Sequence, residues 1–250
     1  MTYTVEEILR ANDALRAGQF RRDFGSANAE FWDHADTVWL VVGCHGGAGA
    51  STVALGLAEQ VGQCRVVDCA PMATSVLLMA AFTELGEQQR RMVGMRDQIR
   101  IERCLEDFRS VDEVPLPTPV ETRLTIVDAG CPAESASASC GWVGGLCRDR
   151  SVPVVLVFRP TWHGFARVEA CLGLFAAHRC VVVCNGAQRP AAQQMGNLTR
   201  RANDEGVLVG LAENRLLASG SVSERFPAGV LSSIQTVMKV LEMPAEAAGV

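Results

Sequence analysis

Ten consecutive residues carry the most specific chemistry in the chain: Gly43-Cys44-His45-Gly46-Gly47-Ala48-Gly49-Ala50-Ser51-Thr52. They follow an apolar run, Val38-Trp39-Leu40-Val41-Val42, and lead into Val53-Ala54-Leu55-Gly56-Leu57-Ala58, which reads as a helix. Glycines there let the backbone turn tightly and bring successive N–H groups round an anion. The start of the helix adds its own free donors and the positive end of its dipole. This is the chemistry of a phosphate cradle, and Ser51 or Thr52 is placed to offer a hydroxyl to magnesium. Two carboxylates extend the pattern. Asp68 closes Arg65-Val66-Val67, and Asp128 closes Leu124-Thr125-Ile126-Val127. A carboxylate at the tip of an apolar strand has no packing reason to be there, so both point to a site.

The elements that must position these residues are read from hydrophobic periodicity. Beyond the three runs above lie Val154-Val155-Leu156-Val157-Phe158, Val181-Val182-Val183 and Val207-Leu208-Val209. All are apolar on both faces, as in parallel strands covered by helices above and below. The intervening stretches are long enough for crossover helices, which predicts an α/β fold with a doubly wound, mainly parallel sheet. Its ligand is expected beyond the carboxyl ends of the strands. Residues 4–17 read as a short helix and 18–29 as a linker, giving an N-terminal arm over 1–36 and a main domain over 37–250. The stretch 83–109 mixes charge with scattered apolar residues and reads as a surface helix or helix pair. Arg90, Arg91, Arg96, Arg100 and Arg103 would then form its solvated face with Glu87, Asp97 and Glu102. Three prolines within 114–119 make the connection that follows it extended.

The glycine loop resembles the P-loop of the ParA/MinD-type ATPases, whose motif reads K-G-G-x-G-K-[ST]-[ST]. Gly46, Gly47, Gly49, Ser51 and Thr52 match, while His45 and Ala50 stand at the two lysine positions. The resemblance continues in order along the chain. Val67-Asp68-Cys69-Ala70-Pro71 is similar to the family's D-x-D-P segment, with Ala70 at the second acidic position. Ile126-Val127-Asp128-Ala129-Gly130 is similar to its Walker B segment. The resemblance implies a P-loop fold binding ATP or ADP with Mg. Gly46, Gly47, Ala48, Gly49, Ala50, Ser51 and Thr52 would cradle the phosphates, and Ser51 and Asp128 would serve the metal. Asp68 would position the attacking water, and Asn185, after Val183-Cys184, would read the base, although an Asn at a strand end is also a common turn residue. Arg159 offers a positive charge in place of the lysines, its alternative being an ordinary surface ion pair. Loss of a charge-assisted hydrogen bond of roughly 1.5–3 kcal/mol weakens nucleotide binding by about one to two orders of magnitude.

Composition narrows the rest. With 250 residues, 48% hydrophobic and 20% charged, the chain can bury one large α/β core. A net charge of -5 does not favour DNA as a partner. No apolar run reaches the roughly 18 residues of a membrane span, and the first residues hold no signal core. The ten cysteines stand singly without metal spacing and read as buried thiols of a cytoplasmic protein. The four histidines share no spacing either, which sets histidine-bound metal aside. The resemblance implies a bacterial homodimer acting as a partition or positioning switch with little or no hydrolysis, its arm 1–36 meeting a protein partner. The alternative is a pseudo-ATPase scaffold that binds no nucleotide. A P-loop kinase would need an acceptor pocket and a basic residue that the sequence does not identify.

Overall fold

A computed structural model of the chain describes residues 32–34, 37–214, 222 and 224–242. The expected arm over 1–36 therefore lies, apart from 32–34, outside the described residues. Nine strands form one sheet in the order β3-β4-β5-β2-β6-β1-β7-β8-β9. The six runs predicted as strands are β1 (Thr37–Gly43), β2 (Cys64–Asp68), β6 (Leu124–Pro132), β7 (Val154–Phe158), β8 (Cys180–Asn185) and β9 (Leu208–Leu211). They pair in parallel, as apolarity on both faces requires. Alternation along β1 divides its side chains between two cores. Val38, Leu40 and Val42 enter one layer, and Trp39 and Val41 enter the other.

Helices close both faces. The first layer is capped by α2 (Ala133–Ala138), α3 (Trp142–Arg148), α4 (Trp162–Leu174) and α5 (Asn197–Asp204). The second is capped by α1 (Ala50–Val61) and α6 (Ala228–Glu242), which pack through Val53, Leu57, Ile234 and Val237. Each such apolar side chain contributes about 1.5–3 kcal/mol on burial. Seven of the ten cysteines are buried and all ten are free. Burial pushes the Cys64 thiol up to about 12, so it behaves as apolar filler.

The stretch 83–109 overturns the helical expectation. It folds as three antiparallel strands, β3 (Thr83–Gln88), β4 (Arg91–Arg96) and β5 (Ile99–Cys104). The last of these pairs in parallel with β2, which joins the extension to the main sheet. The arginines read as a solvated face are mostly interior: Arg91, Arg96 and Arg103 are buried, as is Glu102. The misreading has a physical source. The tight turns use Gln89, Arg90 and Asp97 at positive φ rather than the Asn-Gly that normally marks such a hairpin. Inward-facing arginines also break the apolar alternation by which a strand is recognised.

Candidate nucleotide site

The strand–loop–helix unit has the expected form. The chain leaves β1 at Gly43, turns through 44–49 and enters α1 at Ala50. Gly47 and Gly49 have φ of 72° and 93°, a left-handed conformation that costs a side chain about 1–2 kcal/mol. Gly49 caps α1 with no side-chain bond, and the first turn holds no acidic residue. The donors and positive dipole end of that turn are left for an anion. No atom lies within 4 Å of the side-chain positions of Gly46 or Gly47, so the cradle is open. It forms one wall of a cavity of about 420 Å³ that also reaches Asp128, Arg159 and Asn185.

Parallel pairing sets Asp68, the last residue of β2, beside Asp128, which is not the expected strand tip because β6 runs on to Pro132. Their surroundings then separate them. Asp128 lines the cavity, although its exposure is only 1%. One of its oxygens accepts from the Gly130 N–H at 3.2 Å, while Oδ2 is buried without a hydrogen-bond partner. Burial, and then the Asp68 charge, push its carboxyl up to about 7, against the Ser51 hydroxyl and Gly130 N–H that face it. The Asp68 carboxylate is occupied within its own loop. It accepts from the Ala70 N–H at 2.8 Å and from the Ser75 hydroxyl. Burial raises its pKa, while those two bonds and the charges of Arg91 and Arg103 lower it. Ala70, and not Asp68, stands on the cavity wall.

Of the remaining residues, Asn185 and Arg159 reach the loop from the ends of β8 and β7, and His45 belongs to the loop itself. Asn185, at the end of β8, donates its amide to the Ala48 carbonyl at 3.0 Å and so holds the loop from behind. Its nitrogen lies 2.1 Å from where a Gly49 Cβ would stand, so this contact also requires glycine there. His45 Nε2 accepts the Arg159 N–H at 3.2 Å, which places the ring proton on Nδ1, 2.9 Å from the Gly46 carbonyl. Held as this neutral tautomer, His45 supplies no ammonium in place of the lysine. Arg159 borders the cavity and pairs at 3.5 Å with the exposed Glu213 carboxylate. Sequence reasoning missed Leu211, Glu213 and Phe226, which also line the cavity. Leu211 ends the parallel strand β9 and Glu213 follows it, a signal that was present; Phe226 carries none.

The residues fit a magnesium nucleotide at the phosphate end. The glycine cradle would take the phosphates, and Ser51 with the unpartnered Asp128 oxygen would serve the cation. Among the described residues no three His, Cys, Asp or Glu side chains form a metal group by themselves. A cation there would need oxygens from its ligand as well. Among the described residues, no helix is long and apolar enough to cross a membrane.

No family model matches the chain, and no curated protein sequence does. Solved structures do match in shape. A plasmid partition protein of Borrelia burgdorferi B31 bound to AMPPNP superposes with a TM-score of 0.56 at 9% identity, over 82% of this chain and 98% of that one. The cell division ATPase MinD of Pyrococcus furiosus gives 0.52 at 13% identity, over 82% and 98%. Apo McdA of Cyanthece gives 0.50 at 11%, over 82% and 99%. At such identities likeness speaks for the fold alone, and this chain has the α/β architecture of the ParA/MinD-type P-loop ATPases.

Proposed function

We propose that the protein binds ATP or ADP with magnesium, hydrolyses it slowly or not at all, and works as a partition or positioning switch. The observation that carries this reading is the open amide cradle of 43–52 with the unpartnered Asp128 oxygen at its end. Binding rests on backbone donors, the helix dipole and Arg159, because Ala50 stands where the family has lysine. Weak turnover follows from two features. No ammonium meets the transferring group, and the Asp68 carboxylate is tied to Ser75 and Ala70 instead of facing the cavity. Base reading by Asn185 would use its amide oxygen and its second N–H, since Ala48 engages only one of the two amide hydrogens. The acting form would be a homodimer in the bacterial cytoplasm, with 1–36 open to a protein partner; DNA is the partner least favoured by charge.

Titration of the purified chain with fluorescently labelled ATP and ADP, with and without magnesium, tests the reading. Saturable binding below millimolar nucleotide is expected, tighter with magnesium. Absence of saturation at millimolar nucleotide would leave the scaffold alternative, in which the fold serves only protein contact.

A further inference from the structure

The antiparallel extension β3–β5 lies at one edge of the sheet, and its buried arginines donate to backbone carbonyls of the segments beside it. Arg91 donates to the Asp68 carbonyl at 3.0 Å, to that of Leu116 at 2.9 Å and to that of Pro115. Arg103 donates to the Leu78 carbonyl at 2.5 Å. Arg96 reaches farthest. Nε and one Nη2 hydrogen meet Glu59 Oε1 at 2.8 and 2.5 Å. Nη1 meets the carbonyls of Ala80 at 3.0 Å and Val222 at 2.7 Å. The last hydrogen meets the Glu224 carbonyl at 2.5 Å. All five donors of a guanidinium that is 1% exposed are thereby used, on groups from three separate parts of the chain. The other Glu59 oxygen accepts the Phe226 N–H at 3.2 Å. Phe226 in turn rests on Gly56 of α1 and lines the same cavity as the loop.

We infer that Arg96 is a positioning residue: through Glu59, Val222 and Glu224 it fixes the Phe226 wall of the cavity against α1, so that the extension sets how well the non-phosphate part of a nucleotide is held. This rests on the nucleotide-binding reading and deepens it. The phosphate loop is built independently, from β1, Asn185 and the start of α1, and Arg96 touches none of these. An arginine suits the task because its planar fork serves five acceptor contacts at fixed angles. A lysine has three donors on a flexible stem and cannot span them. The Phe82 ring, 4.6 Å from the guanidinium and half exposed, links the same residue to the protein surface.

The test compares Arg96→Lys, which keeps the charge beside Glu59, with the Glu59→Gln/Arg96→Met pair, which removes both charges together. Labelled ATP and inorganic tripolyphosphate are titrated against each, and amide hydrogen exchange is followed at Glu224 and Phe226 in the protein alone. In both variants ATP binding weakens about tenfold while tripolyphosphate affinity holds, and exchange at Glu224 and Phe226 quickens with the loop amides unchanged. Equal loss for ATP and tripolyphosphate, or unaltered exchange at Phe226, overturns the inference. If the wild-type chain binds neither ligand, the nucleotide reading itself fails and takes the ligand part of the inference with it. The exchange measurement then still decides whether Arg96 fixes the Phe226 segment.

Discussion

Replacing Ala50 with lysine restores the side chain that the loop lacks, and the structure allows its effect to be sized. Ala50 opens α1 and borders the 420 Å³ cavity, so a four-carbon stem can enter it without displacing the core. Two opposing terms then act. A cation in the first turn of a helix meets the positive dipole end and costs the free protein about 0.3–1 kcal/mol. A charge-assisted hydrogen bond to a phosphate oxygen contributes roughly 1.5–3 kcal/mol. The second term wins, and Ala50→Lys tightens ATP binding roughly 2- to 100-fold while lowering the melting temperature slightly. Ala50→Met supplies similar bulk without charge and isolates the electrostatic part. The assay is titration of labelled ATP with magnesium at two ionic strengths, alongside phosphate release. The gain for lysine shrinks with added salt, methionine shows none, and hydrolysis rises from its basal level. Equal affinity in wild type, Ala50→Lys and Ala50→Met would refute the claim that the bend at 43–52 is a phosphate site.

Two further outcomes follow from the same geometry. A carboxyl carried from 3.8 when unfolded to about 7 when folded keeps its proton in the native state while the unfolded chain loses it. Stability therefore falls as pH rises between those values, by roughly 4 kcal/mol if Asp128 acts alone. Asp128→Asn should remove that slope, raising denaturant stability at pH 8 and leaving it unchanged at pH 4; parallel wild-type and variant curves would contradict the assignment. Gly49→Ala places a methyl 2.1 Å from the Asn185 amide nitrogen at a φ of 93°. It should cost at least about 2 kcal/mol in urea unfolding and abolish ATP binding; an unchanged midpoint would sink the account of the loop.

The strand–loop–helix unit and the two carboxylates, Asp68 and Asp128, were legible in the sequence because their determinants are local, although β6 runs four residues past Asp128. Gly47 and Gly49 answer backbone angles set within four residues, and β1 shows its double burial in its own run of apolar side chains. The parallel pairing around β1 follows from the same runs, whereas the order of the strands does not. What the carboxylates do was not legible. Asp68 and Asp128 stand side by side on β2 and β6, but Ser75 and the Ala70 N–H engage one, while the other keeps an oxygen free beside Ser51. Asn185 is likewise assigned by a carbonyl 137 positions away.

Neighbouring residues alone specify the phosphate-type bend, the sheet's parallel core and the absence of lysine from positions 45 and 50, because glycine, apolar period and side-chain charge are local properties. That 83–109 is a sheet with interior arginines was settled by long-range contacts. Burying a guanidinium is favourable only where acceptors meet its donors, and those of Arg96 come from residues 16 to 128 positions away. A charge pattern read along the chain contains no record of them.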